Sequence, residues 1–358
     1  MIRTCGTWFR KPLLYPLSYE AFFGSIRSII SVILNTDYKS TLRQSTLRLD
    51  LSAWLVSVMR AIVALPLSEK VSHLSAKQLD DLELGQSGDS VRIESFGEQL
   101  VVRKESPVNH SRLEKQYLKQ LNFDHSLDFK IPKVIVPWDG TSFSMEYVSG
   151  TPLGKFLGNA SISEVESLTA RVSAYIKSLI TSSALEPETI NKNVSFNSKL
   201  ASMSKVLSSS EYELVQSALL TLNKESIHIR QLIGPNHGDF SFENILINQN
   251  SGEAWILDFL DSPIETPLLD ISRILMDLEN GWWGWGLYPS ASERLSSTLM
   301  AEVLRATCYE NGVSSFEISY FKLFTALRLV PYTVKPLRMS ILIELIAKEL
   351  VHLSKGPQ

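Results

Sequence analysis

The spacing of apolar positions divides the chain into three stretches. Residues 1 to about 80 carry apolar residues at helical spacing. The densest run is Leu51 to Leu67, LSAWLVSVMRAIVALPL, with Asp50 or Ser52 placed to cap it. Near Leu82 the texture changes. SVRIESF and QLVVRK read as two short strands, and Gly97-Glu98 between them predicts an antiparallel hairpin. SRLEKQYLKQL then sets Leu113, Tyr117, Leu118 and Leu121 at helical spacing, and FKIPKVIVPWD and TSFSMEYVSG read as two further strands. Strand, strand, helix, strand, strand describes a small α+β lobe.

From Thr151 onward the pattern is helical, with helices predicted over Ser161 to Ser183 and Ser208 to Leu222. One segment interrupts it, IGPNHGDFSFENILINQNSGEAWILDFLDSP. Within it NILINQ and EAWILDF are short strands joined by a turn at Asn250-Ser251-Gly252. Beyond Pro263 the helical pattern resumes, broken at GWWGWG. The reading is therefore a helical extension over 1–80, a small sheet-bearing lobe over 81–150 and a mainly helical lobe over 151–358.

Composition sets outer bounds. With 358 residues, 44% apolar and 20% charged, the chain can bury a large core as a soluble globular protein. A formal net charge of −3 supplies no basic field to draw nucleic acid. Two cysteines, Cys5 and Cys308, make no disulfide framework and suit a reducing compartment, so the cytoplasm is the expected location. The first stretch is poor in acids, but charge breaks its apolar parts and no clear small-residue cleavage site follows them. Leu51 to Leu67 is short for a bilayer span, holds Arg60 and ends at Pro66. A helix packed on the body of the protein is preferred over the alternative, an interfacial membrane helix.

The chemistry concentrates in His237-Gly238-Asp239, with Asn244 shortly after and Asp258 on the next strand. These residue types belong together in phosphoryl transfer. ATP is strongly anionic, so Mg²⁺ must neutralise and align it, and Asn244 and Asp258 are the hard oxygen donors that Mg²⁺ prefers. A separate carboxylate, Asp239, is left to receive the proton of an attacking hydroxyl. A metallohydrolase built on His237 and Asp239 is disfavoured, because no nearby histidines supply further ligands.

HGDFSFENILI followed by ILDFLDS resembles the aminoglycoside phosphotransferase and choline kinase group, a branch of the protein-kinase-like fold. Gly238 stands where protein kinases carry Arg, and Asp258-Phe259-Leu260 lacks the Gly of D-F-G. Upstream parts follow in order. GQSGDS, with Gly85, Ser87 and Gly88, resembles a reduced phosphate-covering loop, and VVRK resembles the strand bearing the phosphate-contacting cation. Alternation puts Lys104 and Arg103 on opposite faces; Lys104 is the preferred cation and Arg103 stays open. Glu114 resembles that cation's ion-pair partner, and Glu146 and Val148 lie in a stretch resembling the hinge that hydrogen-bonds adenine. Asp270, in PLLDI, is read as bracing the catalytic segment.

The resemblance implies a bilobal α+β fold of the protein-kinase type, with a small antiparallel N-lobe and a mainly helical C-lobe. It implies ATP and Mg²⁺ as cofactors and a small-molecule hydroxyl acceptor. HGDFSFENIL with DFLDSP looks most like bacterial members associated with surface-polysaccharide or sugar metabolism, which implies a sugar or sugar-derived alcohol as acceptor, and the lack of a dense acidic cluster counts against a polycationic aminoglycoside. The alternatives are a protein kinase, opposed by the missing D-F-G glycine and A-P-E, and a nucleotide-binding pseudoenzyme serving as a scaffold. Asp261 is a further acid at the site, open between metal ligand, supporting acid and helix cap. Trp282, Trp283 and Trp285 are read as packing residues, with an aromatic wall for the acceptor as the alternative. Nothing in the pattern assigns an oligomeric state.

Overall fold

The computed structural model describes residues 90–356 apart from 107–108, 124–128, 187–202, 204–205, 226–228, 230, 263, 284–289 and 334. The helical extension expected over 1–80, with its membrane alternative, lies outside the described residues, as do Gly85, Ser87, Gly88 and Trp285.

The small lobe is a four-stranded antiparallel sheet in the order β1-β2-β4-β3. β1 (Ser90–Phe96) and β2 (Gln99–Glu105) pair across the two-residue Gly97-Glu98 turn, where Gly97 takes a φ of 62° that favours glycine. β4 (Ser142–Glu146) joins β2, with Lys104 opposite Phe143 and Arg103 opposite Ser144. β3 (Val134–Val136) closes the order and is shorter than its apolar run suggests. Pro132 and Pro137 flank it, and neither has an N–H for a ladder.

Helix α1 (His110–Asn122) is capped by the Asn109 side chain, which accepts from the Arg112 amide. It lays Leu113 against Phe143 and Met145 to form the lobe's own small core. Strand pairing sets one sheet face, shared by Lys104, Val102, Phe143 and Met145 and by Val91, Ile93 and Leu100. Val91, Ile93 and Leu100 remain more than half exposed at 56%, 60% and 51%, so this apolar face is covered only in part.

The larger lobe opens with β5 (Thr151–Pro152) and α2 (Leu153–Leu157), followed by α3 (Ile162–Thr181). α3 starts on a capping box, Ser161 with Glu164. α4 (Ser209–Glu225) follows, and a ribbon of β6 (Ala184–Glu186) with β7 (Gln231–Ile233) precedes the chemical segment. The predicted hairpin forms as β8 (Ile245–Ile247) and β9 (Ala254–Ile256), and β5 adds to β8. Lys130 bonds backbone to backbone with Ala254 and Ile256, which ties the end of the small lobe to this hairpin.

Four helices complete the lobe: α5 (Pro267–Asn280), α6 (Ala291–Glu310), α7 (Ser315–Leu329) and α8 (Pro336–Leu353). α5 starts on a Thr266 cap with Pro267 at its first position and ends at Gly281, left-handed at a φ of 61°. It is buried from Pro267 to Leu278, so its three charged residues in that span must be paired. Trp282 is buried in the main core, and the ring of Trp283 fills the space beside Gly154, where a Cβ would sit 2.5 Å from it. Both tryptophans are packing residues here. No helix among the described residues is long and apolar enough to cross a membrane.

Candidate active site

The segment between β7 and β8 is an irregular loop held open by side chains. Asp270 near the start of α5 accepts from the His237 amide at 2.6 Å and the Gly238 amide at 2.9 Å, and from the Tyr175 hydroxyl at 3.1 Å. Burial pushes the Asp270 pKa up to about 6, against the pull of those donors. Asp270 therefore braces the loop, as its position suggested. Gly238 takes a φ of 93°, and a Cβ there would lie 2.6 Å from the Leu260 carbonyl oxygen and the Ser262 hydroxyl. Both the backbone and the space require glycine.

His237 is fully enclosed, and burial lowers its pKa to about 4, against the charges of Asp239 and Asp258. Its Nδ1 accepts from the Asp239 amide at 3.3 Å, so the ring is neutral with its proton on Nε2. It packs on Phe259 at 4.4 Å between ring centres. His237 thus shapes the loop beneath Asp239 rather than facing the open side of the site.

Asp239 has both carboxylate oxygens engaged. Oδ1 accepts from Arg273 Nε at 2.7 Å and Oδ2 from Asn244 Nδ2 at 2.9 Å. Asn244 Nδ2 also reaches the Asp239 carbonyl at 2.9 Å, closing the turn between the two residues. Arg273 is buried on α5 and donates its Nη1 to Asp277 at 3.0 Å. Burial opposes its charge, but Asp277 and Asp239 outweigh burial and keep it ionised. Asp277 in turn accepts from the Phe242 amide at 2.8 Å. Burial pushes the Asp277 pKa up to about 6, with Arg273 opposing.

Asp258 leaves the end of β9 in a left-handed conformation, with a φ of 64°, unlike every other non-glycine residue among those described. The Leu257 amide bonds the Asn244 carbonyl at 2.8 Å, so the hairpin brings Asn244 and Asp258 to one end. Asp258 Oδ1 meets Lys104 Nζ from the small lobe. Burial raises the Asp258 pKa, but the charge and hydrogen bond of Lys104, with a smaller contribution from Arg112, outweigh it and hold the carboxyl below its usual range.

Lys104 is therefore brought to the site, whereas Arg103 lies on the other face of β2, its Nε buried and without a hydrogen-bond partner among the described residues. The expected pairing of Lys104 with Glu114 does not form. Leu113 is wholly buried, and Glu114, about 100° further round the helix, is exposed. α1 turns bases toward the segment after Asp258 instead. Lys119 Nζ donates to Asn236 Oδ1, to the Leu260 carbonyl at 3.1 Å and to Ser262 Oγ at 3.2 Å, and pairs with Glu265 at 3.1 Å. Lys115 pairs with Asp261 at 3.3 Å. Asn236 passes the contact on, donating to the Ile264 and Thr266 carbonyls at 3.2 and 3.0 Å.

Sequence reasoning missed Arg273, Lys119 and Asn236. Asn236 could have been suspected from its place beside His237-Gly238-Asp239. Glu146 shares two bonds with Lys133, its amide to the Lys133 carbonyl at 2.9 Å and its Oε1 from the Lys133 amide at 3.1 Å. Val148 is half-buried just beyond it. For a metal, Asn244 keeps its Oδ1 and Asp258 its Oδ2, each without a hydrogen bond among the described residues. Two hard oxygens fit Mg²⁺, which binds one or two protein groups and takes phosphates and waters for the rest. Among the described residues no group of three or more His, Cys, Asp and Glu could hold a metal ion.

No family model matches the chain, and no curated protein matches it. Solved structures do. A thermostable mutant of aminoglycoside phosphotransferase APH(4)-Ia is 13% identical and superposes with a TM-score of 0.53 over 77% of this chain and 94% of that one. The gentamicin complex of APH(2")-IIa is 15% identical, with a TM-score of 0.48 over 80% and 97%. A choline/ethanolamine kinase family protein from Mesorhizobium loti is 14% identical, with a TM-score of 0.45 over 76% and 90%. The first of these shows the fold: the chain has the bilobal α+β architecture of aminoglycoside phosphotransferase APH(4)-Ia.

Proposed function

We propose that the chain is a phosphotransferase that moves the γ-phosphoryl group of ATP to a hydroxyl of a small polar acceptor, a sugar or sugar-derived alcohol, in the cytoplasm. The observation that carries this reading is the convergence of Asp239, Asn244, Asp258 and Lys104 at one end of the β8–β9 hairpin. Asn244 and Asp258 would hold Mg²⁺, which supplies neutralisation and alignment of the phosphates when bound.

Asp239 receives the proton of the acceptor hydroxyl. The acceptor oxygen forms a bond to the γ-phosphorus, the bond from that phosphorus to the β–γ bridging oxygen breaks, and ADP leaves. Arg273 and Asn244 fix both Asp239 oxygens, and each oxygen retains a second lone-pair site for the incoming proton. Lys104 grips the α- and β-phosphates, and the amides around Gly85, Ser87 and Gly88 cover them. The half-open apolar face of Val91, Ile93 and Leu100 beside Lys104 takes the base, and the backbone of Glu146 and Val148 bonds its edge. Glu114 takes no part.

Titrating ATP with and without Mg²⁺ tests this. Asp258→Ala should weaken MgATP binding about 10–100-fold and remove most of its dependence on the metal. An unchanged Mg²⁺ requirement would move the metal elsewhere, with Asp261 the next acid along the chain.

A further inference from the structure

Three arginines belong to the helices around Asp239. Arg273 is spoken for, held between Asp239 and Asp277. Arg338 on α8 lies over the Trp282 ring at 5.3 Å and pairs with Glu243 at 3.5 Å. The third, Arg328, is in the last turn of α7. A hydrogen bond between Ser272 and Thr325 at 3.0 Å sets α7 against α5. Arg328 follows Thr325 by one turn and Arg273 follows Ser272 directly, so the two cations share that crossing.

Arg328 differs from the other two in its bonds. The residue is partly exposed, and among the described residues it makes no hydrogen bond and no ion pair. Its five donors are therefore open to an acceptor that arrives from solvent. Burial holds its pKa below the usual arginine range, and the charge of Asp239 leads the opposing influences, ahead of Tyr332 and Asp261. Asp239 itself is already bonded to Arg273 and Asn244.

We propose that Arg328 determines acceptor specificity and that the acceptor is an anion, with its carboxylate or phosphate group on the Arg328 guanidinium and its hydroxyl against Asp239. This rests on the phosphotransferase reading of the same site. A planar guanidinium suits either oxyanion through two parallel hydrogen bonds. Arg328, the one cation of the three with no ion pair among the described residues, disfavours a cationic group at that position, which counts against a polycationic acceptor.

The test is equilibrium binding of two matched pairs, D-glucose with D-glucuronate and glycerol with glycerol 3-phosphate. Each is titrated into the full chain, both nucleotide-free and loaded with Mg²⁺ and a non-hydrolysable ATP analogue. At least one charged member should bind about tenfold or more tightly than its neutral partner, and Arg328→Gln should cut that ratio to about threefold or less. Arg328→Lys, which keeps the charge, should retain most of the preference and guards against a variant that merely fails to fold. The proposal is overturned by equal or absent binding within both pairs, by a preference that survives Arg328→Gln, or by a variant that weakens the nucleotide analogue instead. The last outcome would assign Arg328 to the γ-phosphate. Failure of the analogue to bind the unaltered chain would sink the phosphotransferase reading alone, since the charge preference is measured on the nucleotide-free chain as well.

Discussion

Helix α5 serves two ionic clusters, and they are built to opposite rules. Toward its C-terminal end Glu279 pairs with Lys322 at 2.8 Å and with Arg305 at 2.5 Å, and Lys322 also pairs with Glu349 at 2.8 Å. The Lys322 and Glu349 side chains are 0% and 4% exposed, and every charge in the set has a partner within it. Burial raises the Glu279 pKa, but Lys322 and Arg305 overcome it and bring it down to about 2. This cluster is sealed, and it joins α5, α6, α7 and α8. Further toward its N-terminal end α5 supplies Arg273 to Asp239, and there Asp277 is buried while Asp239 and Asp258 stay accessible. The Asp239 side chain is 27% exposed and Asp258 46%. Among the described residues Arg328 makes no hydrogen bond or ion pair, Asp258 is in a left-handed conformation, and Asn244 and Asp258 each keep an oxygen without a hydrogen bond. Ionic networks alone do not mark a functional site; open valence and access do.

The sealed cluster should show the larger effect on stability. Lys322→Met strips Glu349 of its buried counter-charge and should cost about 3–5 kcal/mol by denaturant titration, with Lys322→Met/Glu349→Leu recovering most of it. A cost below about 1 kcal/mol would mean the cluster is not sealed.

At the open cluster the first lever is pH. The folded-state pKa of His237, about 4, lies below its unfolded value near 6.5, so the unfolded chain binds more protons between them. The stability owed to the neutral ring is therefore complete above about pH 6.5 and is lost as pH falls toward 4. Asp270 and Asp277, raised to about 6, act in the opposite sense and are shared by both proteins in a comparison with His237→Gln. The stability gap between that variant and the unaltered chain should shift by about 3 kcal/mol over this range, against the unaltered chain at low pH. A constant gap would show that the ring is not held neutral by burial.

Lys119 should give the smallest effect. Lys119→Met removes the donor that joins α1 to Asn236, Leu260 and Ser262, and should lower turnover about tenfold at a stability cost of about 1–2 kcal/mol. Nucleotide affinity should remain within a few-fold. If turnover is unchanged, the link between the lobes does not position Asp258.

What could be read from the chain alone was whatever is local. SVRIESF and QLVVRK alternate and close on a glycine turn, and they form β1 and β2 with Lys104 and Arg103 on opposite faces. The loop bearing Asp239 and the hairpin carrying Asn244 to Asp258 are adjacent in sequence, so their meeting was legible too. Charges reaching the site from distant helices were not. Arg273, Arg328 and Lys119 look like any polar position on an amphipathic helix until the crossing of α5 with α7, or of α1 with the Asp258 loop, is known. Glu114 failed for a related reason: helical spacing allows both Glu114 and Lys119 near the sheet, and only the complete burial of Leu113 decides which side faces the site.

The central claim is that Asp239 receives a hydroxyl proton while the nucleotide is held by other groups. Its most direct test follows labelled γ-phosphate from MgATP into a pool of small hydroxyl compounds, for the unaltered chain and Asp239→Asn, with MgATP affinity measured on both. Turnover in the variant should fall about 10²–10⁴-fold while affinity stays within a few-fold. A variant that transfers phosphate at nearly the native rate, or that loses nucleotide affinity in step with turnover, would contradict the account.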